Sequence, residues 1–175
     1  MRHIRFACMV LYVMLVPALV SCNRPEPAVQ KPEKPMTGPR ERLLARIGDI
    51  NNPKTARPLV TLEEFFEGND DPGSIGSNLP EPSEPRQFYE LLLEIRKKPG
   101  VADVRIEVMQ LEDPAGWPIT DTIWIIASSS PEEVRSWFPE AMSPDVVYDG
   151  FTTAAGPLEA YSIPEGMRAV GMWYD

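Results

Sequence analysis

Thr122-Ile123-Trp124-Ile125-Ile126-Ala127 is the stretch on which the fold turns. Four large apolar side chains follow one another without alternation. A strand of that kind is covered on both faces and lies in the interior of a sheet. Upstream, Val104, Ile106 and Val108 alternate with Arg105, Glu107 and Met109, which predicts a second strand with one wet face. Asp113 to Trp117, holding a proline and a glycine, supplies the turn between them. Downstream, Ser130-Pro131-Glu132-Glu133 opens a helix, with Ser130 as cap, Pro131 in the first position and Glu133 completing a capping box. Val134, Trp137 and Phe138 then face inward. A short strand near Asp145 to Tyr148 and a last one from Arg168 to Tyr174 follow.

Before this block, Thr61 with Glu64 three residues on is a capping-box pair, predicting a short helix through Phe65 and Phe66. Residues 67–78 are dense in turn formers. A longer helix is expected from Pro85 to Lys98, with Phe88, Leu92 and Ile95 on one face and Pro99-Gly100 as its stop. Strand pairs and helices in this order predict an α+β domain: a small antiparallel sheet of about four strands with helices packed on it.

The N-terminus reads differently. Arg2 and Arg5 precede an uncharged run of 15 residues, Phe6 to Val20, too short for a membrane span and suited to a signal-peptide core. It ends in Leu19-Val20-Ser21-Cys22, which resembles the bacterial lipobox. That resemblance implies acylation of Cys22 and cleavage before it. Residues 1–21 are thus read as a signal peptide and 22–58 as a Pro-rich, basic, disordered tether, with Pro25, Pro27, Pro32, Pro35 and Pro39. The acidic globular domain is expected over 59–175. Within the tether, Leu43, Leu44, Ile47 and Ile50 recur at helical spacing, and a short amphipathic helix there would rest on the membrane or dock on the domain.

The mature chain would contain no histidine, because His3 is removed, and no cysteine besides the anchor, because Cys8 is removed as well. This excludes an internal disulfide, nucleophiles paired with histidine, and the His- or Cys-rich ligand sets that zinc prefers. Residues 23–58 carry eight Lys or Arg against four acids, whereas 59–175 carry seven against 22. So acidic a domain argues against nucleic acid as a ligand and fits a cationic protein partner.

The loop Glu67 to Asn78 is the most conspicuous candidate surface, with Glu67, Asp70 and Asp71 beside three glycines. It lacks the spacing of an EF-hand and the Gly-Lys-Ser/Thr of a phosphate loop, so no metal and no cofactor is expected. No catalytic carboxylate pair stands out among so many acids, and no enzyme is expected; a carboxylate-dependent hydrolase is the third choice. Trp124 and Trp137 read as core. Trp117, between Gly116 and Pro118, and Trp173 near the end are the candidate aromatic anchors for a partner.

Val60 to Leu79, containing Leu62-Glu63-Glu64-Phe65-Phe66-Glu67-Gly68-Asn69-Asp70-Asp71-Pro72-Gly73-Ser74-Ile75-Gly76-Ser77-Asn78, is similar to segments of small bacterial proteins, as are Trp117-Pro118 and Asp121-Thr122. Such small acidic domains resemble the immunity proteins of polymorphic toxin systems. The resemblance implies a compact domain that blocks a cognate toxin, and carries over no catalytic residue. The lipoprotein signal departs from the many cytosolic members, and fits a toxin acting in the envelope. The leading expectation is therefore a lipid-anchored, protein-binding lipoprotein of the cell envelope, held in the bilayer through acylated Cys22, with its domain outside the cytoplasm. An accessory or assembly lipoprotein of structural role is the alternative.

Overall fold

The structure is a computed structural model, and it describes residues 38–80, 83–152 and 156–175. Signal segment, lipobox and Cys22 lie outside the described residues. Four helices, α1 (Pro39–Ile47), α2 (Leu62–Phe66), α3 (Pro85–Arg96) and α4 (Pro131–Arg135), accompany five strands: β1 (Leu59–Thr61), β2 (Val101–Glu107), β3 (Thr122–Ala127), β4 (Val146–Asp149) and β5 (Arg168–Trp173). The strands form one antiparallel sheet in the order β1-β2-β3-β5-β4. The domain is α+β, as expected, with one strand more than the sequence suggested. No helix among the described residues is long and apolar enough to cross a membrane.

All six residues of β3 are buried, and β3 is the middle strand. The pleat sends Ile123 and Ile125 to one face and Trp124 and Ile126 to the other. The first face carries Val104, Ile106, Val170 and Met172 of neighbouring strands and is covered by helices: Phe65 and Phe66 of α2, Phe88, Leu92 and Ile95 of α3, and Val134 of α4. The capping box at Thr61 is formed, whereas Ser130 caps its helix without the box that Glu133 was expected to complete. Thr61 Oγ1 accepts from the Glu64 amide at 3.1 Å while Glu64 accepts from the Thr61 amide at 2.7 Å. Ser130 Oγ accepts from the Glu133 amide at 3.3 Å. Helix α3 ends at Arg96, two residues short of expectation, and Lys97 and Lys98 bond back to Glu94 and Ile95 in a closing turn.

The second face corrects the sequence reading of β2. Arg105 and Glu107 belong to a face expected to be wet, yet Glu107 is 1 % exposed. The segment between β4 and β5 lies over it: Phe151, Leu158, Tyr161 and Met167 pack against Leu59, Trp124, Ile126 and Ala169. Trp124 meets the Phe151 ring edge-on at 4.8 Å between centroids. Gly171 stands opposite Trp124 in the register, and a Cβ there would lie 2.6 Å from the indole. A glycine is thus required for space.

The second correction concerns the tether. Helix α1 falls inside residues 22–58, but Leu43 and Ile47 are buried in the main core together with Ile50. The compact unit takes in α1 and the residues after it rather than starting at Leu59. The apolar spacing of α1 is satisfied by docking: it packs on α2 and is tied down by polar contacts. Arg46 Nη2 reaches Glu159 at 2.7 Å, and Glu159 Oε2 also accepts the Leu59 amide at 2.8 Å. Burial pushes the Glu159 carboxyl up, but Arg46 and that amide outweigh it and hold it below the usual range. The same residue thereby caps an amide of edge strand β1, whose approach is further covered by the bridge between Arg57 and Leu158.

Candidate functional site

The loop at 67–78 is built by its own side chains. Asp71 caps the turn Pro72–Ser74, its Oδ1 accepting from the Gly73 amide at 2.9 Å. Asn69 Nδ2 donates to Ser74 Oγ at 2.9 Å, and Asn69 Oδ1 accepts from the Asp71 amide at 3.1 Å. Asp71 Oδ2 then accepts the Trp117 amide at 3.2 Å, joining this loop to 113–117. Arg40 of α1 clamps the second loop from outside, its Nε donating to Gly116 O at 2.7 Å and Nη2 to Pro114 O at 2.5 Å.

The candidate residues therefore divide. Asp71 is half-buried and structural as well as acidic. Asp70 is exposed, and Glu67 is exposed with an ion pair to Arg42 at 3.2 Å. Trp117 is 6 % exposed and belongs to the core, which corrects its reading as an exposed anchor. Its indole Nε1 is buried without a hydrogen-bond partner among the described residues. Trp173 is half-exposed, and its Nε1 donates to Asp121 Oδ2 at 3.3 Å. It stands at the end of β5, apart from Glu67, Asp70 and Asp71, which share the first loop with each other. Trp124 is core as expected, whereas Trp137 is half-buried with Lys98 Nζ 5.4 Å from its ring centre.

Two adjoining concavities lie beside these residues. One, about 380 Å³, is walled by Gly73, Gly76 and Asn78 of the first loop and by Glu112, Asp121 and Asp175. Its lining holds three carboxylates and no lysine or arginine. Asn78 Nδ2 and the Asp175 amide both reach Asp145 Oδ2 at 3.0 Å, tying the loop to the end of the chain. That amide first, and Asn78 second, hold the Asp145 carboxyl below its ordinary range. The other, about 450 Å³, is formed by residues 50–57 and 109–112 with Pro157, and shares Gln110 and Glu112 with the first.

Under the second concavity lies a buried ionic cluster that the sequence reading did not single out. Arg57 Nη1 pairs with Glu107 Oε1 at 2.7 Å, and Trp124 Nε1 donates to Glu107 Oε2 at 2.6 Å. Burial pushes the Glu107 carboxyl up, while the Trp124 bond and the Arg57 charge oppose that rise. Arg57 had been assigned to the tether and Glu107 to a wet face. The signal that pointed to them was β3 itself, since a strand apolar on both faces requires cover on the second face. Among the described residues no group of three or more metal-ligating side chains stands together.

All of this architecture except its last three residues lies within one family match. A family model described as the uncharacterized protein YfbO family covers residues 38–172. The chain belongs to the YfbO family. A relative, uncharacterized protein YfbO of Escherichia coli (strain K12), is 40 % identical over 142 residues, which is 78 % of this chain and 99 % of the relative. No solved structure matches the chain. The YfbO model begins one residue before α1, so α1 is a part of the family's domain, in agreement with its burial. The second concavity and the Arg57–Glu107–Trp124 cluster fall inside the same limits, whereas Tyr174 and Asp175 of the first concavity lie beyond them.

Proposed function

We propose that this YfbO-family chain is an envelope lipoprotein whose domain binds a cationic protein, in the manner of an immunity protein that neutralises a toxin acting in the envelope. The observation that carries the binding side is the cleft lined by Glu112, Asp121 and Asp175 with no cation in its wall. Carboxylates facing a shared solvent space attract a basic surface and steer its approach. Exposed Asp70 extends the same sign of charge across the neighbouring loop. The anchoring side rests on Leu19-Val20-Ser21-Cys22, which precedes the family match.

Two measurements test the two sides. Metabolic labelling with a fatty acid is expected to mark the native chain and to leave Cys22→Ser as a longer, unlabelled precursor. Undiminished labelling of the variant overturns the anchor. For the partner, capture from membranes with the full chain is expected to recover a basic protein. A chain carrying Glu112→Gln, Asp121→Asn and Asp175→Asn together should lose it. Capture that is indifferent to the three changes overturns the cleft as the binding surface.

A further inference from the structure

We infer that Arg57 anchors a carboxylate-binding site in the concavity formed by residues 50–57 and 109–112. Its side chain is 8 % exposed. Nη1 makes all its hydrogen bonds, to Glu107 Oε1 at 2.7 Å and to Met109 Sδ at 3.0 Å. Nε and Nη2 are buried and have no acceptor among the described residues. These two atoms form one edge of the planar guanidinium. Their N–H bonds run parallel, at the spacing of the two oxygens of a carboxylate. The unsatisfied donors thus make up a complete side-on fork. Buried charged donors left without an acceptor are costly, so a group that supplies two oxygens at once is strongly favoured there.

Arg57 and Met109 both line the cavity of about 450 Å³, and Met109 Sδ meets the guanidinium at Nη1. That volume falls in the range of small-ligand sites, roughly 300–1,000 Å³. One wall is stiff: Asn51 pairs with the Leu111 backbone in both directions, at 2.8 and 3.0 Å. Met109 is the wall's adaptable part, an unbranched thioether that repacks at little cost. The charge balance selects the ligand. Glu107 already pairs with Arg57 once, and Glu112 stands in the lining. A monoanionic carboxylate meets less repulsion there than a doubly charged phosphate. The carboxylate comes from a free small acid or from a peptide C-terminus, which share this chemistry. The site adjoins the acid-lined cleft, sharing Gln110 and Glu112 with it, but its anchor Arg57 lies outside that cleft, so this inference stands independently of the proposed partner.

The test follows the arginine Nε–H resonances of the ¹⁵N-labelled full chain. Sodium acetate, sodium succinate, the peptide Ala-Ala-Ala and its C-terminal amide are added in turn, each against sodium chloride at equal ionic strength. The expected result is one arginine Nε–H that moves downfield saturably with a carboxylate and not with chloride or the amide. Arg57→Lys keeps a cation for Glu107 but has no fork, and should weaken binding about tenfold or more. If Arg57→Lys does not fold, the native titration still decides. Response to the acids but not the peptide assigns a free small carboxylate; response to the peptide but not the acids assigns a chain terminus. No saturable shift with any carboxylate, or an equal shift with the amide, overturns the site.

Discussion

The indole N–H of Trp124 donates to Glu107 Oε2 at 2.6 Å, between two side chains that are almost completely shielded from water. Glu107 Oε1 meanwhile takes Arg57 Nη1 at 2.7 Å, so one carboxylate satisfies a donor from β3 and a donor from the segment before β1. Glu107→Ala leaves both donors without an acceptor and should cost about 3–5 kcal/mol. Glu107→Gln retains an oxygen for one of them and should be milder by about 1 kcal/mol or more. Burial raises the Glu107 carboxyl above its unfolded value, so between those two values the folded state holds the proton that the unfolded state has released. Its contribution to stability is therefore greatest below the ordinary glutamate range and declines as pH rises through the raised value. Chemical denaturation across that range should show native stability falling relative to Glu107→Gln as pH increases. The opposite slope would refute the assignment.

Gly171 faces Trp124 across β3 and β5, and the missing Cβ is what lets the indole lie flat over the strand. Gly171→Ala should destabilise by about 1–3 kcal/mol through overpacking. Adding Trp124→Leu should recover part of that loss, because the clash belongs to the pair. A double-mutant cycle by thermal melting checks this, and additive single effects would deny the coupling.

Much of the sheet was legible because its side chains report their surroundings directly. Ile123 to Ile126 without a polar break can only be an interior strand, and Thr61-x-x-Glu64 and Ser130-Pro131 are helix starts whatever lies around them. Strand β1 was missed because three residues carry no period. The cover on the second face was missed because the described residues of 150–167 form no regular secondary structure longer than a bridge. Arg57 shows the limit for the site. In sequence it is one basic residue in a basic stretch, and only the approach of β2 gives it Glu107. Trp117 between Gly116 and Pro118 looked like an exposed turn tryptophan, but Asp71 and Arg40 fold the loop down and bury it.

Helix α1 is expected to be indispensable to the fold. A fragment starting at Leu59 lacks Leu43, Ile47 and Ile50 and uncovers the Phe65 and Phe66 side of the core. It also loses the Arg46 partner of Glu159. A fragment from Pro35 should melt cooperatively, and one from Leu59 should not. Within the longer fragment, Leu43→Ala should cost about 2–5 kcal/mol. Equal cooperativity of the two fragments, followed by circular dichroism, would return α1 to the tether.

The neighbouring acids Asp70 and Asp71 should separate binding from folding. Asp71 accepts both the Gly73 and the Trp117 amides, so Asp71→Ala unties two loops and should cost about 1–3 kcal/mol. Asp70 is exposed, and Asp70→Ala should leave the melting curve unchanged. If the loop contributes to the field that draws in a cationic partner, Asp70→Ala should still slow association. The effect should shrink with salt, as the screening length falls from about 10 Å at 0.1 M to about 3 Å at 1 M. Dissociation should change little, because a rim charge steers encounter more than it holds the docked complex. Stopped-flow association of the captured partner with native protein and with Asp70→Ala, at low and high salt, reads both quantities. A rate that ignores the substitution and the salt would remove the loop from the recognition surface and leave its acidity to solubility alone.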